Sequence, residues 1–163
     1  TNIRIEVGAD DAAIGGRTDN AQIPTFLLPW LNEIGERARR EALAGLLLVG
    51  EGYGPKIQKG GDLYRPDPGF ILFDVFASDG MVLERVNMED IAHKLAIPVV
   101  PVVGVGSLHA AIAHVREGFK SEVAMSERPA EGLVLRPAVE LMGRDSKRVI
   151  TKVKHRDFTG EQS

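Results

Sequence analysis

Lys152 and Lys154 close the run Ile150-Thr151-Lys152-Val153-Lys154, and a strand period of two sets both on one face, with Cα atoms roughly 6.5–7 Å apart. Two ammonium groups that close repel unless an anion lies between them, and phosphate is the natural anion. Upstream, Glu131 opens a second strand-like run, Glu131-Gly132-Leu133-Val134-Leu135-Arg136-Pro137. A charge so near a core needs a partner, and a carboxylate here suits a metal ion or a sugar hydroxyl. These three residues outline part of a nucleotide site.

The chain that must position them has 163 residues, enough for one domain with a real core and no need of disulfides or a structural metal. With 44% hydrophobic and 26% charged residues it has the composition of an ordinary globular protein. The lack of cysteine excludes a disulfide framework, a thiolate zinc site and a cysteine nucleophile, and it fits a cytoplasmic location. No run approaches the ~18 apolar residues of a membrane span, and no signal-peptide pattern is present, so no membrane partner is expected. A net charge of −3 argues against wholesale non-specific nucleic-acid binding. A local basic surface remains open, because Arg144, Lys147, Arg148, Lys152, Lys154 and Arg156 face only Asp145 and Asp157 in the C-terminal segment.

Ile3, Ile5 and Val7 alternate with Asn2, Arg4 and Glu6, the pattern of a half-buried strand. Gly8 and Gly15-Gly16 bracket a second short element, followed by the polar stretch Gly16-Arg17-Thr18-Asp19-Asn20. Arg17 there is either a solvated loop charge or a phosphate-binding guanidinium. Apolar residues at helical spacing predict a helix from Thr25 to about Ala44, with Pro29 in its first turn and Arg37, Arg39, Arg40 and Glu41 on a solvated face. Leu46 to Val49 then reads as a strand that delivers Glu51 into a glycine turn, Gly50-Glu51-Gly52-Tyr53-Gly54. That turn lacks the Gly-Lys-Ser/Thr of a phosphate loop. Lys56 and Lys59 follow on a basic loop that is either a plain surface loop or a polyanion contact.

Phe70 to Phe76 predicts a buried strand, Asp79-Gly80 a hairpin turn, and Met81 to Val86 a return strand. Phe73 is either a core residue or a platform for a base. Asn87 and Asp90 suggest the cap of a short helix ending near Leu95, Ile97 to Val103 a further strand, and Leu108 to Glu117 a helix closed by Gly118. His93, His109 and His114 are not spaced as a metal set. Gly104-Val105-Gly106 does not complete a dinucleotide fingerprint, since His109 holds the third glycine position. A polar tail follows Phe158. Strands that outnumber helices, with at least one hairpin, give an α+β class with mixed or antiparallel sheets flanked by helices.

Taken in order, the chain resembles the adenylation domain of ATP-dependent RNA ligases, in the covalent nucleotidyltransferase superfamily that also holds DNA ligases and mRNA capping enzymes. Glu131-Gly132-Leu133-Val134-Leu135 is similar to motif IV and Lys152-Val153-Lys154 to motif V. Gly16-Arg17-Thr18 resembles the arginine motif that follows the nucleophile, Gly50-Glu51 motif III, and Ile71-Leu72-Phe73-Asp74 motif IIIa. The resemblance implies the nucleotidyltransferase fold across residues 1–163. It implies ATP as the source of AMP, Mg²⁺ as the metal, and RNA ends as partners. The family nucleophile is a lysine in Lys-x-Asp-Gly or a close variant, commonly followed in RNA ligases by Thr-Asn. Since the chain opens Thr1-Asn2-Ile3-Arg4-Ile5, the resemblance places its first residue just after motif I. The nucleophilic lysine is then absent, self-adenylation is not expected, and no C-terminal domain follows motif V.

By the same resemblance, Lys152 and Lys154 contact the α-phosphate, and Glu131 binds or orients the metal. Glu51 accepts hydrogen bonds from the ribose, Phe73 stacks on adenine, Arg17 holds phosphate, and Asn2 lines the site. AMP passes from a lysine to a 5′-phosphate, and a 3′-hydroxyl displaces it. Three other readings stay open: a DNA ligase domain, a non-catalytic nucleotide- or RNA-binding remnant, and a hydrolase using Thr1 activated by its own α-amine. Thr1-Asn2, and the lack of a tryptophan just ahead of the motif V lysines, favour RNA over DNA. The oligomeric state is not legible.

Overall fold

The computed structural model describes residues 1–18 and 20–160, so Asp19 of the polar loop and Glu161–Ser163 of the polar tail lie outside the described residues. The chain divides into two compact units, Thr1–Val100 and Pro101–Ser163, a boundary that the sequence did not announce.

In the first unit the alternating residues form β1 (Asn2–Val7), with Ile3, Ile5 and Val7 buried. It pairs antiparallel with β2 (Ala12–Gly15) and with β3 (Leu47–Tyr53), and β3 pairs antiparallel with β4 (Gly69–Phe76), in the order β2-β1-β3-β4. Helix α1 (Leu28–Arg40) presents Leu31, Ile34 and Ala38 to a core shared with Leu48, Phe70, Leu72 and Val75. Burial of each large aliphatic side chain there contributes roughly 1.5–3 kcal/mol. Gly35 lets the helix approach the sheet, since a Cβ at that position would lie 2.6 Å from Ala12 Cβ. Helix α2 (Arg85–Lys94) adds Met88, Ile91 and Ala92 to the same core.

Four local expectations change. Helix α1 ends at Arg40 rather than near Ala44, because Ala42 turns to a φ of 57° and the Leu43 amide returns to Ala38 O at 3.0 Å. Its basic face is only partly solvated: Arg37 donates to Leu95 O at 2.7 Å and Arg39 to Ala9 O at 3.2 Å. The return strand after Gly80 shrinks to one bridge, Phe76 to Val82, because α2 begins at Arg85; Asn87 lies inside that helix, and Glu84 takes the cap position. The run Ile97–Val103 forms no extended strand. Within the first unit it bonds β4 only around Leu72, through Pro98 O and the Val100 amide, each at 2.9 Å. Pro98 and Pro101 bring no N–H to a ladder.

In the second unit α3 (Leu108–Glu117) is capped by Ser107, whose hydroxyl accepts from the Ala110 amide at 3.2 Å, and it closes at Gly118 with a φ of 80°. It packs on an antiparallel pair, β5 (Gly132–Leu135) and β6 (Thr151–Lys154), with Val115 fully buried; α4 (Arg156–Thr159) follows. Among the described residues, no helix is long and apolar enough to cross a membrane.

Candidate functional site

The register of the second unit explains why its three charged residues meet. Lys154 pairs with Gly132 and Lys152 with Val134, so both lysines stand on one face of the β5–β6 ladder. Gly132 is required by close approach, because a Cβ there would overlap the carbonyl oxygen of Val153 and lie 2.7 Å from Lys154 Cα. The His155 amide donates to Glu131 O at 2.9 Å and ties the two strand ends together. Glu131 thereby lands between the two ammonium groups, with Oε1 at 2.7 Å from Lys154 Nζ and Oε2 at 3.3 Å from Lys152 Nζ. The anion expected between the lysines is present in the chain itself.

The Lys154 hydrogen bond, helped by the charge of Lys152 and opposed by burial, holds the Glu131 carboxyl below its ordinary range. The side chains remain 60% (Glu131), 49% (Lys152) and 25% (Lys154) exposed, so the cluster is open to solvent and its carboxylate is exchangeable. Among the described residues, no group of three or more His, Cys, Asp or Glu side chains gathers as a metal cage. Glu131 nonetheless fits Mg²⁺, which keeps several waters and takes one or two carboxylates together with substrate phosphates.

In the first unit, cross-strand pairing aligns Asn2 with Glu51 and Glu51 with Ile71. The glycines flanking Glu51 do not make a turn, contrary to the reading of Gly50-Glu51-Gly52; β3 runs straight through them. Their absent side chains make room on the core side. A Cβ at Gly50 would overlap the Phe70 ring and Ile71 O, and one at Gly52 would lie 2.8 Å from Leu27 Cδ2. With both glycines turned inward, strand alternation turns Glu51 to the other face. There its side chain is 51% exposed and accepts from the Thr1 amino group at 3.2 Å.

Gly50 pairs with Leu72 while its neighbour Val49 pairs with Asp74, which leaves Phe73 as the extra residue of a β-bulge. Bulges re-aim side chains, and they recur beside functional sites. Phe73 is half-buried and stands outside the core cluster, where Phe70 fills the aromatic position. Arg17 is exposed just after β2, and Arg4 steadies the preceding residue by donating from Nε to Gly16 O at 2.6 Å.

Glu131, Lys152 and Lys154 are thus brought into contact within one unit, and Asn2 and Glu51 are paired in the other. Sequence reasoning missed the Asn2–Glu51 pairing, the bulge at Phe73, and the part His155 plays in fixing Glu131. Only the glycine adjoining Glu131 carried a signal, as a place where two backbones approach. His93, His109 and His114 form no cluster, and His114 instead stacks on Phe119 with ring centroids 4.5 Å apart.

A family described as RNA ligase matches residues 9–154. No curated protein matches the chain. Among solved structures, an aspartate-to-alanine variant of the Naegleria gruberi RNA ligase, without ligand, is similar at 18% identity and a TM-score of 0.70, over 98% of this chain and 47% of that one. Two further variants of the same ligase, a lysine-to-alanine form with ATP and Mn and a lysine-to-methionine form with AMP and Mn, each align at 20% identity and a TM-score of 0.61, over 98% of this chain and 48% of theirs. The chain therefore spans about half the length of these structures, and the likeness establishes the expected α+β nucleotidyltransferase fold.

Proposed function

We propose that this chain, which belongs to the RNA ligase family, is the nucleotide-handling part of an ATP-dependent RNA ligase that joins 5′-phosphate and 3′-hydroxyl ends. The observation that carries this reading is the carboxylate of Glu131 held between Lys152 and Lys154. Two fixed cations with an exchangeable anion suit a step in which negative charge gathers on a phosphoryl group. In that step a lysine amine attacks the α-phosphorus of ATP, a P–N bond forms, and the P–O bond to pyrophosphate breaks. The AMP then passes to an RNA 5′-phosphate, and a 3′-hydroxyl displaces it.

Lys152 and Lys154 are read as the cations that hold the α-phosphate, with Glu131 yielding its place to that phosphate and offering its oxygens to Mg²⁺. When bound, the ion supplies charge neutralisation at the phosphoryl oxygens. On the first unit, Glu51 is read as the acceptor for ribose hydroxyls, Phe73 as the platform for adenine, Arg17 as a phosphate contact, and Asn2 as a lining residue. The 163 residues contain no Lys-x-Asp-Gly, so a polypeptide of these residues alone forms no covalent lysine-AMP.

Equilibrium binding of ATP with Mg²⁺ to the 163-residue chain tests the reading. Wild type binds and the K152A/K154A variant loses most of its affinity; equal affinity in the two sinks the assignment. Labelled ATP leaves no covalent mark on the chain, and a labelled band refutes the claim about the nucleophile. In a polypeptide that supplies Lys-x-Asp-Gly, joining of nicked RNA but not nicked DNA separates the two ligase readings.

A further inference from the structure

Five of the seven lysines in the chain are ion-paired: Lys94 with Asp90, Lys120 with Glu127, Lys147 with Asp145, and Lys152 and Lys154 with Glu131. The other two, Lys56 and Lys59, are exposed on one loop between β3 and β4, and among the described residues no carboxylate pairs with either.

The loop is built rather than loose. The Ile57 amide donates to Gly54 O at 3.3 Å and the Gly61 amide to Gln58 O at 3.0 Å, closing two successive β-turns. Both lysines occupy central turn positions, where side chains project outward. Beneath them Ile57 packs against the core, and Gly61 lies so close to Gly54 O that a Cβ would overlap it. The Arg65 guanidinium covers the Tyr53 ring at 5.5 Å from its centroid.

The first turn carries Pro55 and then Lys56 at a φ of 63°. That position favours glycine or asparagine, and a lysine is strained there. A strained, unpaired cation on a loop closed by two β-turns points to a role for the charge.

We propose that Lys56 and Lys59 form a contact for the phosphate backbone of an RNA strand. The inference rests on the RNA ligase reading for the identity of the polyanion. Phosphate contacts position a strand without reading its sequence, which suits an enzyme that joins ends.

The test is the salt dependence of binding of a 5′-phosphorylated single-stranded RNA to the 163-residue chain, followed by fluorescence anisotropy. K56A/K59A should bind about tenfold more weakly at low salt, and the slope of log affinity against log salt should shrink by about 1.4, from the loss of two single-strand phosphate contacts. K56R/K59R should retain both. K56G should keep or raise Tm, because it removes the strain at φ 63°, while still weakening RNA binding. Wild-type affinity and slope in K56A/K59A overturn the proposal, as does a wild-type chain that binds no RNA. ATP binding measured on the same variants should not change. A wild-type chain that binds RNA but not ATP counts against the nucleotide site and leaves the loop to be judged by its own slope.

Discussion

Replacing Glu131 by Gln separates the two things its carboxylate does. In the free chain it neutralises Lys154 at 2.7 Å and Lys152 at 3.3 Å, so an incoming phosphate must displace it. Both pairs are open to water, and pairs of this kind contribute roughly 0.2–1 kcal/mol each. The competition that Gln removes is therefore about 1 kcal/mol in total, which converts to about fivefold in affinity. Isothermal titration of pyrophosphate without metal, at low ionic strength, should show E131Q binding about fivefold more tightly than wild type, with the gain shrinking as added salt screens the charges. ATP with Mg²⁺ should move the opposite way, because the variant loses the carboxylate charge and one of the two oxygens offered to the ion. Unchanged or weaker pyrophosphate binding by E131Q refutes the view that this carboxylate and a phosphate compete for the same two cations.

Acid should weaken the second unit in a defined direction. The carboxyls of Glu131, paired with Lys154, and Glu140, hydrogen-bonded by Arg148, are both held below their ordinary value of 4.5. Their stabilisation is fully present above that value and is lost as pH falls through the lowered folded-state values. Thermal melts below pH 4.5 should fall more steeply in wild type than in an E131Q/E140Q variant, and parallel curves would count against the assignment. Gly50→Ala forces a methyl group into the Phe70 ring and should cost about 1–3 kcal/mol or more in urea unfolding. Phe70→Ala should cost about 3–5 kcal/mol by the same measure, from the cavity it leaves. Phe73→Ala should cost far less stability but weaken ATP binding; a large loss of stability with unchanged ATP binding would assign Phe73 to the core.

Much of the local architecture was legible because it rests on short-range rules. The alternation of Ile3, Ile5 and Val7 specified β1, and the helical run Leu108–Glu117 closed by Gly118 specified α3. The parity of Lys152 and Lys154 set both on one face before any partner strand was known. The order of the short motifs pointed to the family that the match over residues 9–154 establishes.

Tertiary structure decided what depends on a second strand or a neighbouring backbone. Gly50-Glu51-Gly52 reads as a turn in isolation, yet it is a strand, because Phe70 and Leu27 fill the space its glycines leave. The bulge that singles out Phe73 arises from register between β3 and β4, and register is a property of the pair. The position of Glu131 between two lysines likewise required β5 to meet β6 across Gly132. Sequence therefore determined which charges share a face, and the fold determined which of them neutralise one another, since Coulomb attraction depends on distances that only chain closure sets.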